Sequence, residues 1–207
     1  MIGTALRLLA GVLLALFALP VCVQLLLSTA RRQHRWSPED PLAVAIGLSL
    51  GLLWLLWRKP HRFWHTWLHE LAHAIACVAL RVRLLGFKAT EGRGGEVEHA
   101  PCDPLRAVLI AIAPYTLPLL LLPALLTQWA LPNGLARECA SAACGFLFLN
   151  HLQGLVLNLR LNFLGSDSDL ARTGRVLGLV LIAIALLLLC VLVIQVLWSS
   201  PLLPWHR

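Results

Sequence analysis

Two histidines and a glutamate in the segment HELAH have the residue types and the spacing of a metal-dependent hydrolytic site. His69 and His73 are four residues apart, so on an α-helix they lie about 40° apart around the axis and about 6 Å apart along it. Both imidazoles can therefore reach one ion at the bond length of about 2.0–2.1 Å that zinc requires. Glu70 is rotated by about 100° from His69, so it can face a metal-bound water and accept its proton. This H-E-x-x-H arrangement is typical of zinc hydrolases and predicts a Zn²⁺ cofactor.

A catalytic zinc ion normally has three protein ligands and one open position for water, so the sequence must supply a further ligand. The candidates within or beside apolar segments are Asp103, Glu138, His151, Asp167 and Asp169. The two aspartates of the segment GSDSD are favoured, because their loop is expected on the same membrane side as the segment after HELAH, from where a carboxylate can bend back to the ion. The alternative role for Asp169 is to cap a helix that starts at the next residue.

The composition places these residues in a membrane protein. The chain is 59% hydrophobic and 13% charged, whereas a soluble domain has about 45–50% apolar and about 25% charged residues. The net charge of +7 is attributed to arginines beside apolar spans, which set orientation and meet anionic lipid. No basic run is interleaved with aromatic residues, so nucleic acid is not expected as a partner. The six cysteines include no C-x-x-C motif and predict neither a disulfide framework nor a zinc knuckle.

Long apolar runs predict an all-α polytopic membrane protein with about six transmembrane helices, since about 20 apolar residues cross the hydrocarbon core. The predicted spans are at about 4–29, 41–57, 63–82, 105–131, 139–160 and 176–199. The first is interpreted as a retained anchor and not as a cleaved signal peptide. Three prolines predict that the fourth span is bent or interrupted, and Gly47-x-x-x-Gly51 in the second can permit close helix packing.

The connecting segments predict one small sheet and an orientation. Residues 83–103 are Gly-rich and charged with short β-prone pieces, which predicts a β-hairpin at 84–100 directly after the HELAH helix. Lys and Arg number eleven in loops one, three and five and six on the other side, which together account for all 17. The positive-inside rule then predicts both termini outside and those three loops in the cytoplasm.

These motifs together resemble the site-2 protease family of intramembrane zinc metalloproteases, over about residues 63–175. HELAHAIACVALRVRLLGF resembles the first core helix of the family and the strand after it, and Gly94-Gly95-Glu96-Val97 is similar to its membrane-dipping hairpin. AIAPYTLP, residues 111–118, resembles the A-G-P segment of its second core helix, with alanine where glycine is usual. NLRLNFLGSDSDLARTG stands where the family has an Asn-rich segment running into Asp-Gly, and no glycine follows either aspartate here.

The resemblance implies a set of roles. Ser168-Asp169-Leu170 with Gly174 resembles some divergent bacterial members, which favours Asp169 as the third ligand and keeps Asp167 as its alternate. His69, His73 and Asp169 would then hold zinc, and Glu70 would act as general base on zinc-bound water. The candidates for contacts with the substrate backbone or the oxyanion are Asn150, His151, Asn158 and Asn162, and the hairpin around Gly95 offers an edge to an extended peptide.

The function implied is that of a zinc metalloendopeptidase that hydrolyses peptide bonds of membrane-spanning substrates in regulated intramembrane proteolysis. The chain would form a single membrane domain, 1–207, in which 1–60 holds two accessory helices, 61–175 a three-helix catalytic core and 176–207 a C-terminal helix. The expected partners are a transmembrane protein substrate and the lipid bilayer, and a homo-oligomer is left open. The expected location is a bacterial inner membrane, with the active site toward the cytoplasmic side.

Two other interpretations stay open. A non-catalytic zinc-binding membrane protein, either a transporter or a regulatory pseudoprotease, would explain why histidines also occur at positions 61 and 65, which continue the four-residue spacing of the HELAH pair. Glu70 favours the hydrolase, because a transporter needs no general base there. A structural membrane subunit is the third interpretation, and it predicts no metal.

Overall fold

A computed structural model of the chain describes residues 2–32, 39–58, 62–90, 94–165 and 168–197. The described residues form mostly helices, with one small sheet. In chain order the elements are α1 (Ile2–Arg32), α2 (Glu39–Trp57), α3 (Arg62–Ala79), β1 (Leu84–Thr90), β2 (Gly94–His99), α4 (Pro104–Thr116), α5 (Leu121–Ala130), α6 (Leu135–Asn162), α7 (Asp169–Thr173) and α8 (Arg175–Leu197).

Three of these helices are long and apolar enough to cross a membrane: Gly3–Ser28 within α1, together with α6 and α8. The helices α4 and α5 meet the same test as one bent pair, which raises the number to four. The apolar part of α2 is shorter, and α3, which carries HELAH, is not among the candidate spans of the described residues. The prediction of a mostly helical chain with apolar spans is therefore confirmed, whereas the predicted number of six is not.

The break between α4 and α5 follows from local chemistry. Asp103 caps the N-terminus of α4 by accepting hydrogen bonds from the backbone N–H groups of Leu105 and Arg106, both at 3.1 Å. These contacts, above all the one from Arg106, lower the pKa of the Asp103 carboxyl. The helix ends at Thr116, and Pro118, which cannot continue it, lies in the break. The interruption predicted from the prolines is confirmed.

The two strands form the predicted hairpin. They pair in antiparallel register, with Phe87 opposite Val97 and Thr90 opposite Gly94, and the register is irregular between Leu84 and Gly86. Both strands contact α3. The hairpin therefore lies directly on the helix that carries the candidate metal ligands.

The chain divides into two compact units. The first unit contains residues 1–19, 60–117 and 154–185, and the second contains 20–59, 118–153 and 186–207. The HELAH helix, the hairpin, α4 and α7 all belong to the first unit. The second unit has an apolar core built from α5, α6 and α8, whose buried members are Leu121, Leu125, Cys144, Leu189 and Leu197.

Candidate metal centre

The helix α3 presents its two histidines from a surface of small residues. Ala72, Ala76 and Cys77 are buried on this helix, and small side chains allow a neighbouring helix to approach closely. The neighbour is α4, which contacts both α3 and the short helix α7. The side chains of His69 and His73 are only 12% and 10% exposed, so their ring nitrogens must find partners within the protein.

One carboxylate oxygen meets both histidines. Asp169 Oδ2 lies 3.3 Å from His69 Nε2 and 3.4 Å from His73 Nε2. The ligand atoms of the three residues all lie within 4.8 Å of one another. Among the described residues this is the one group of three His, Cys, Asp or Glu side chains that could hold a metal ion.

The other nitrogen of each ring has a hydrogen-bond acceptor of its own. His73 Nδ1 donates to the backbone carbonyl of Ile110 at 2.8 Å, and His69 Nδ1 donates to Asn158 Oδ1 at 3.0 Å. Asn158 Nδ2 donates in turn to the carbonyl of Pro114 at 3.3 Å, which fixes the orientation of the amide. A neutral histidine whose Nδ1–H is committed in this way presents its Nε2 lone pair. Both lone pairs therefore face the carboxylate of Asp169.

Three electron-rich atoms that converge in this way need a cation between them, either protons on the imidazoles or a metal ion. Burial of Asp169 raises the pKa of its carboxyl, but when both imidazoles are protonated their hydrogen bonds and positive charge outweigh burial and hold the pKa well below its usual range. Asp169 is therefore ionised. A carboxylate and two oriented imidazoles are a donor set that suits a divalent transition metal.

The five-residue helix α7 places Asp169. Ser168 is its N-cap and accepts a hydrogen bond from the N–H of Ala171 at 3.3 Å. Asp169 is therefore the first residue of the helix, and the suggestion that it caps a helix starting at Leu170 is wrong. The reason is that the serine hydroxyl one residue earlier already accepts the hydrogen bond of the N–H of Ala171, which leaves the aspartate carboxylate available to the histidines.

The other end of α7 is also fixed. Gly174 ends the helix with a φ of +94°, a conformation that glycine adopts without a steric penalty. The guanidinium of Arg7 in α1 donates to the carbonyl of Arg172. Leu170 is fully buried, at 0% exposure. These contacts hold a helix that is too short to be stable by itself.

Glu70 lies directly beneath the hairpin. Its side chain is 7% exposed. A Cβ atom added at Gly95 in β2 would lie 2.3 Å from Glu70 Cγ and 2.7 Å from both Cδ and Oε1. The strand can approach the glutamate this closely only because residue 95 has no side chain.

A cavity of about 710 Å³ contains this whole arrangement. The sequence-predicted residues that line it are His69, Glu70, His73, Gly95, Asn158, Asn162 and Asp169. Asn158 makes two hydrogen bonds within the protein, to His69 and to Pro114, so the structure uses it to orient a histidine.

The remaining sequence candidates that the structure describes do not join this group. Asn150, His151 and Glu138 belong to the second unit and do not line the cavity. Asp103 is taken up by its role as N-cap of α4. Asp167 lies outside the described residues, as does His61.

Sequence reasoning missed the groups that support the ligands. The backbone carbonyls of Ile110 and Pro114 cannot be recognised as acceptors from residue type. The one available signal is a proline within a predicted helix, because the carbonyl four residues before it has no helical donor. The ring of Tyr115 packs edge-on to His69, with 6.0 Å between ring centroids, and Arg7 reaches the site from α1. Their partners lie far away in sequence, and no local pattern indicates them.

The arrangement can hold one divalent metal ion with a buried carboxylate beside it, in a cavity large enough for part of a peptide. Comparisons of this chain with protein-family models, curated proteins and solved structures find no match.

Proposed function

We propose that this chain is an integral membrane zinc metalloprotease that cleaves membrane-spanning protein substrates, in the manner of the site-2 proteases it resembles. The observation that carries the proposal is the convergence of His69 Nε2, His73 Nε2 and Asp169 Oδ2 in one cavity with Glu70. Three candidate ligands with a glutamate beside them are what a zinc-dependent hydrolase requires.

The distances fit tetrahedral coordination of a metal ion, which is the geometry that zinc takes. Ligands at about 2.0–2.1 Å in a tetrahedral site are about 3.3 Å from one another. The two nitrogen–oxygen separations at this site are 3.3 and 3.4 Å. Two histidines and one carboxylate also form a ligand set used by zinc peptidases. When bound there, zinc would supply Lewis-acid polarisation of the scissile carbonyl and would activate water.

Glu70 is the proton carrier of the proposed reaction. Its carboxylate accepts the proton of the attacking water and then delivers it to the nitrogen of the leaving amine. Contact with the backbone of β2 at Gly95 fixes the position of this side chain. Asp169 and the Nδ1 partners of the two histidines keep the ligand atoms in place while the proton moves.

The hairpin supplies a place for the substrate. The sheet has only two strands among the described residues, so one edge of β2 is unpaired within it, and Gly95, Glu96 and Val97 line the cavity. A transmembrane helix cannot be cut while its peptide groups are bonded internally. An extended segment that adds to β2 would bring a peptide bond next to Glu70.

The membrane setting belongs to the proposal as well. Ionisable residues in an apolar chain are costly and usually mark a function, and the cavity must admit water for hydrolysis. We propose a bacterial inner membrane location with this cavity open toward the cytoplasm. The excess of Lys and Arg predicts that loops three and five lie on the cytoplasmic side.

The experiment measures zinc content and cleavage of a transmembrane peptide by the detergent-solubilised full-length protein. Glu70→Gln should retain zinc and lose at least about 100-fold in cleavage rate, because general acid–base catalysis contributes about 10²–10⁴. His73→Ala and Asp169→Ala should lose zinc. Wild-type protein without zinc, or normal cleavage by Glu70→Gln, would refute the proposal.

A second candidate is a zinc-binding membrane protein without catalysis. His65 lines the same cavity as His69 and His73, and its Nε2 lies 3.5 Å from the carbonyl of Gly154. A third imidazole is therefore present in the cavity. This candidate predicts that Glu70→Gln transports zinc as well as wild type in proteoliposomes, and that neither protein cleaves the peptide.

A further inference from the structure

A proline within α4 leaves one backbone carbonyl without its helical partner. Pro114 has no N–H group, so the carbonyl of Ile110, four residues earlier, receives no hydrogen bond within the helix. Ile110 is 3% exposed, and a buried carbonyl normally has a donor. The donor here is His73 Nδ1, at 2.8 Å.

The carbonyl of Pro114 itself also lacks a helical donor for the same reason. Its helical donor would be residue 118, which is also proline, and the N–H of Leu117 bonds to Ala113 instead. Asn158 Nδ2 donates to the Pro114 carbonyl at 3.3 Å, while Asn158 Oδ1 accepts from His69 Nδ1. The segment around Pro114 thus supplies an acceptor to each histidine, directly to one and through an amide to the other.

We propose that Pro114 is a positioning residue of the metal centre. By withholding an N–H group it keeps the carbonyl of Ile110 available to His73, which fixes the ring with its proton on Nδ1 and its lone pair on Nε2. This inference rests on the proposed function in so far as it takes His69, His73 and Asp169 as zinc ligands.

The end of α4 does not account for Pro114. The helix α4 continues past this residue to Thr116, and the break before α5 comes only after Leu117. The carbonyl that the proline frees is also the one to which His73 donates. The consequence of the proline is therefore hydrogen bonding at the metal centre.

An N–H group at position 114 would compete with His73 for the carbonyl of Ile110. The ring would then lose part of the contact that fixes its tautomer and orientation. Loss of such an outer partner typically costs about 10–100-fold in metal affinity. We expect Pro114→Ala to weaken zinc binding by this factor.

The test is zinc affinity of the full-length protein in detergent, measured by competition with a chromogenic chelator. The matched variant replaces residue 114 with lactic acid by nonsense suppression, because its ester has the shape of the alanine peptide but no N–H. The ester variant should bind zinc as wild type does, in contrast to Pro114→Ala. Pro123→Ala is the control, since residue 123 lies in the first turn of α5, where an N–H lacks a helical acceptor in any case.

A second measurement does not depend on bound metal. Imidazole ¹⁵N spectra of the zinc-free protein should show His73 protonated on Nδ1 in wild type and in the ester variant, and a mixture of tautomers in Pro114→Ala. If Pro114→Ala fails to fold, replacing Ala111 with lactic acid turns the Ile110 carbonyl into a weaker ester acceptor while Pro114 stays. That variant should show the same tautomer mixture and the same weaker zinc binding.

The outcomes separate this inference from the proposed function. Wild type that binds zinc, together with Pro114→Ala that binds it equally and keeps the Nδ1–H tautomer, overturns the role of Pro114 and leaves the metalloprotease proposal standing. An ester variant as weak as Pro114→Ala overturns it too, because the N–H group would then not matter. Wild type that binds no zinc overturns both.

Discussion

At the scale of single residues, each histidine of the candidate centre depends on both of its ring nitrogens. His69 and His73 direct Nε2 toward Asp169 and Nδ1 toward a fixed acceptor. A ring held at two atoms keeps its Nε2 directed at Asp169, which would lower the cost of ordering the site when an ion binds. The same reasoning applies to Glu70, whose side chain lies against the backbone of β2 at Gly95.

Substitution of Gly95 should lower the cleavage rate without loss of bound zinc. In Gly95→Ala the new Cβ would lie 2.3 Å from Glu70 Cγ, so the glutamate must move. A displacement of about 1 Å of a catalytic group can cost about 100-fold in rate. We expect the turnover number for a transmembrane peptide to fall by about this factor, with zinc content unchanged because no ligand is displaced.

The matched control for Gly95 is Gly86→Ala, in the other strand of the hairpin. There the nearest atom to a new Cβ is Glu98 Oε2, at an ordinary contact distance of 3.4 Å. This variant should cleave the peptide as wild type does. Equal turnover in the Gly95 and Gly86 variants would contradict the assignment of Glu70 as the base.

At the scale of elements, the candidate site depends on a helix of only five residues. The helix α7 brings the carboxylate of Asp169 to α3, and it is held by Ser168 at one end and Gly174 at the other. Side-chain contacts add to the caps, since a Cβ added at Gly178 would lie 2.9 Å from Leu170 Cδ2. A change at the C-terminal end of α7 should therefore alter the position of Asp169 and the affinity for a metal ion.

Gly174→Ala tests this dependence. A non-glycine residue at a φ of +94° costs about 1–2 kcal/mol, and α7 can relieve the strain by shifting. We expect weaker zinc binding by chelator competition and a lower unfolding temperature. Gly154→Ala in α6 is the control, because nothing lies within 4 Å of its added Cβ. Unchanged zinc affinity in Gly174→Ala would show that the end of α7 does not position Asp169.

The contact between α2 and α6 in the second unit confirms the packing predicted for Gly47-x-x-x-Gly51. A Cβ added at Gly47 would lie 1.8 Å from the carbonyl oxygen of Ala142, and one added at Gly145 would lie 2.6 Å from that of Val44. The two backbones touch, as small residues permit between helices in a membrane.

Gly47→Ala should therefore destabilise the protein without changing its chemistry. The backbones must separate, and overpacking of this kind costs about 1–3 kcal/mol. The unfolding temperature in detergent should fall, whereas zinc affinity should not, because all three candidate ligands belong to the first unit. At Gly51 a new Cβ meets the end of the Leu149 side chain at 3.2 Å, so Gly51→Ala should lose less stability. The reverse order would contradict the backbone contact.

At the scale of the whole molecule, the sequence predicts what depends on local spacing. The HELAH helix, the hairpin and the interruption at Pro118 follow from periodicity, glycine content and the chemistry of proline, and the structure contains all three. The support for the histidines does not follow, because His69 and Asn158 are 89 residues apart and His73 and Ile110 are 37 apart. Only the fold brings these atoms together.

The predicted number of six membrane spans stays unconfirmed for a different reason. The helix α3 has apolar residues mixed with Trp, His and Glu, and the apolar part of α2 is short, so neither meets the length and hydropathy of a spanning helix although both looked apolar in the sequence. In the same way Asn150 and His151 looked equivalent to Asn158, although only the last lines the cavity. A polar residue in an apolar segment indicates a site without saying which unit contains it.

A metal ion at this centre would connect α3 to α7 across about half of the chain, so metal removal should lower the stability of the protein. A ligand that binds only the folded state stabilises it by about 2.7 kcal/mol when present at 100 times its dissociation constant. EDTA should lower the unfolding temperature of the wild-type protein in detergent by several degrees, and zinc should restore it. Magnesium should not, because it prefers six oxygen ligands.

Asp169→Ala is the control for this prediction, and it should unfold at the same temperature with EDTA, with zinc and with magnesium. A wild-type protein that loses its zinc to EDTA and still unfolds at an unchanged temperature would show that the ion does not connect these helices.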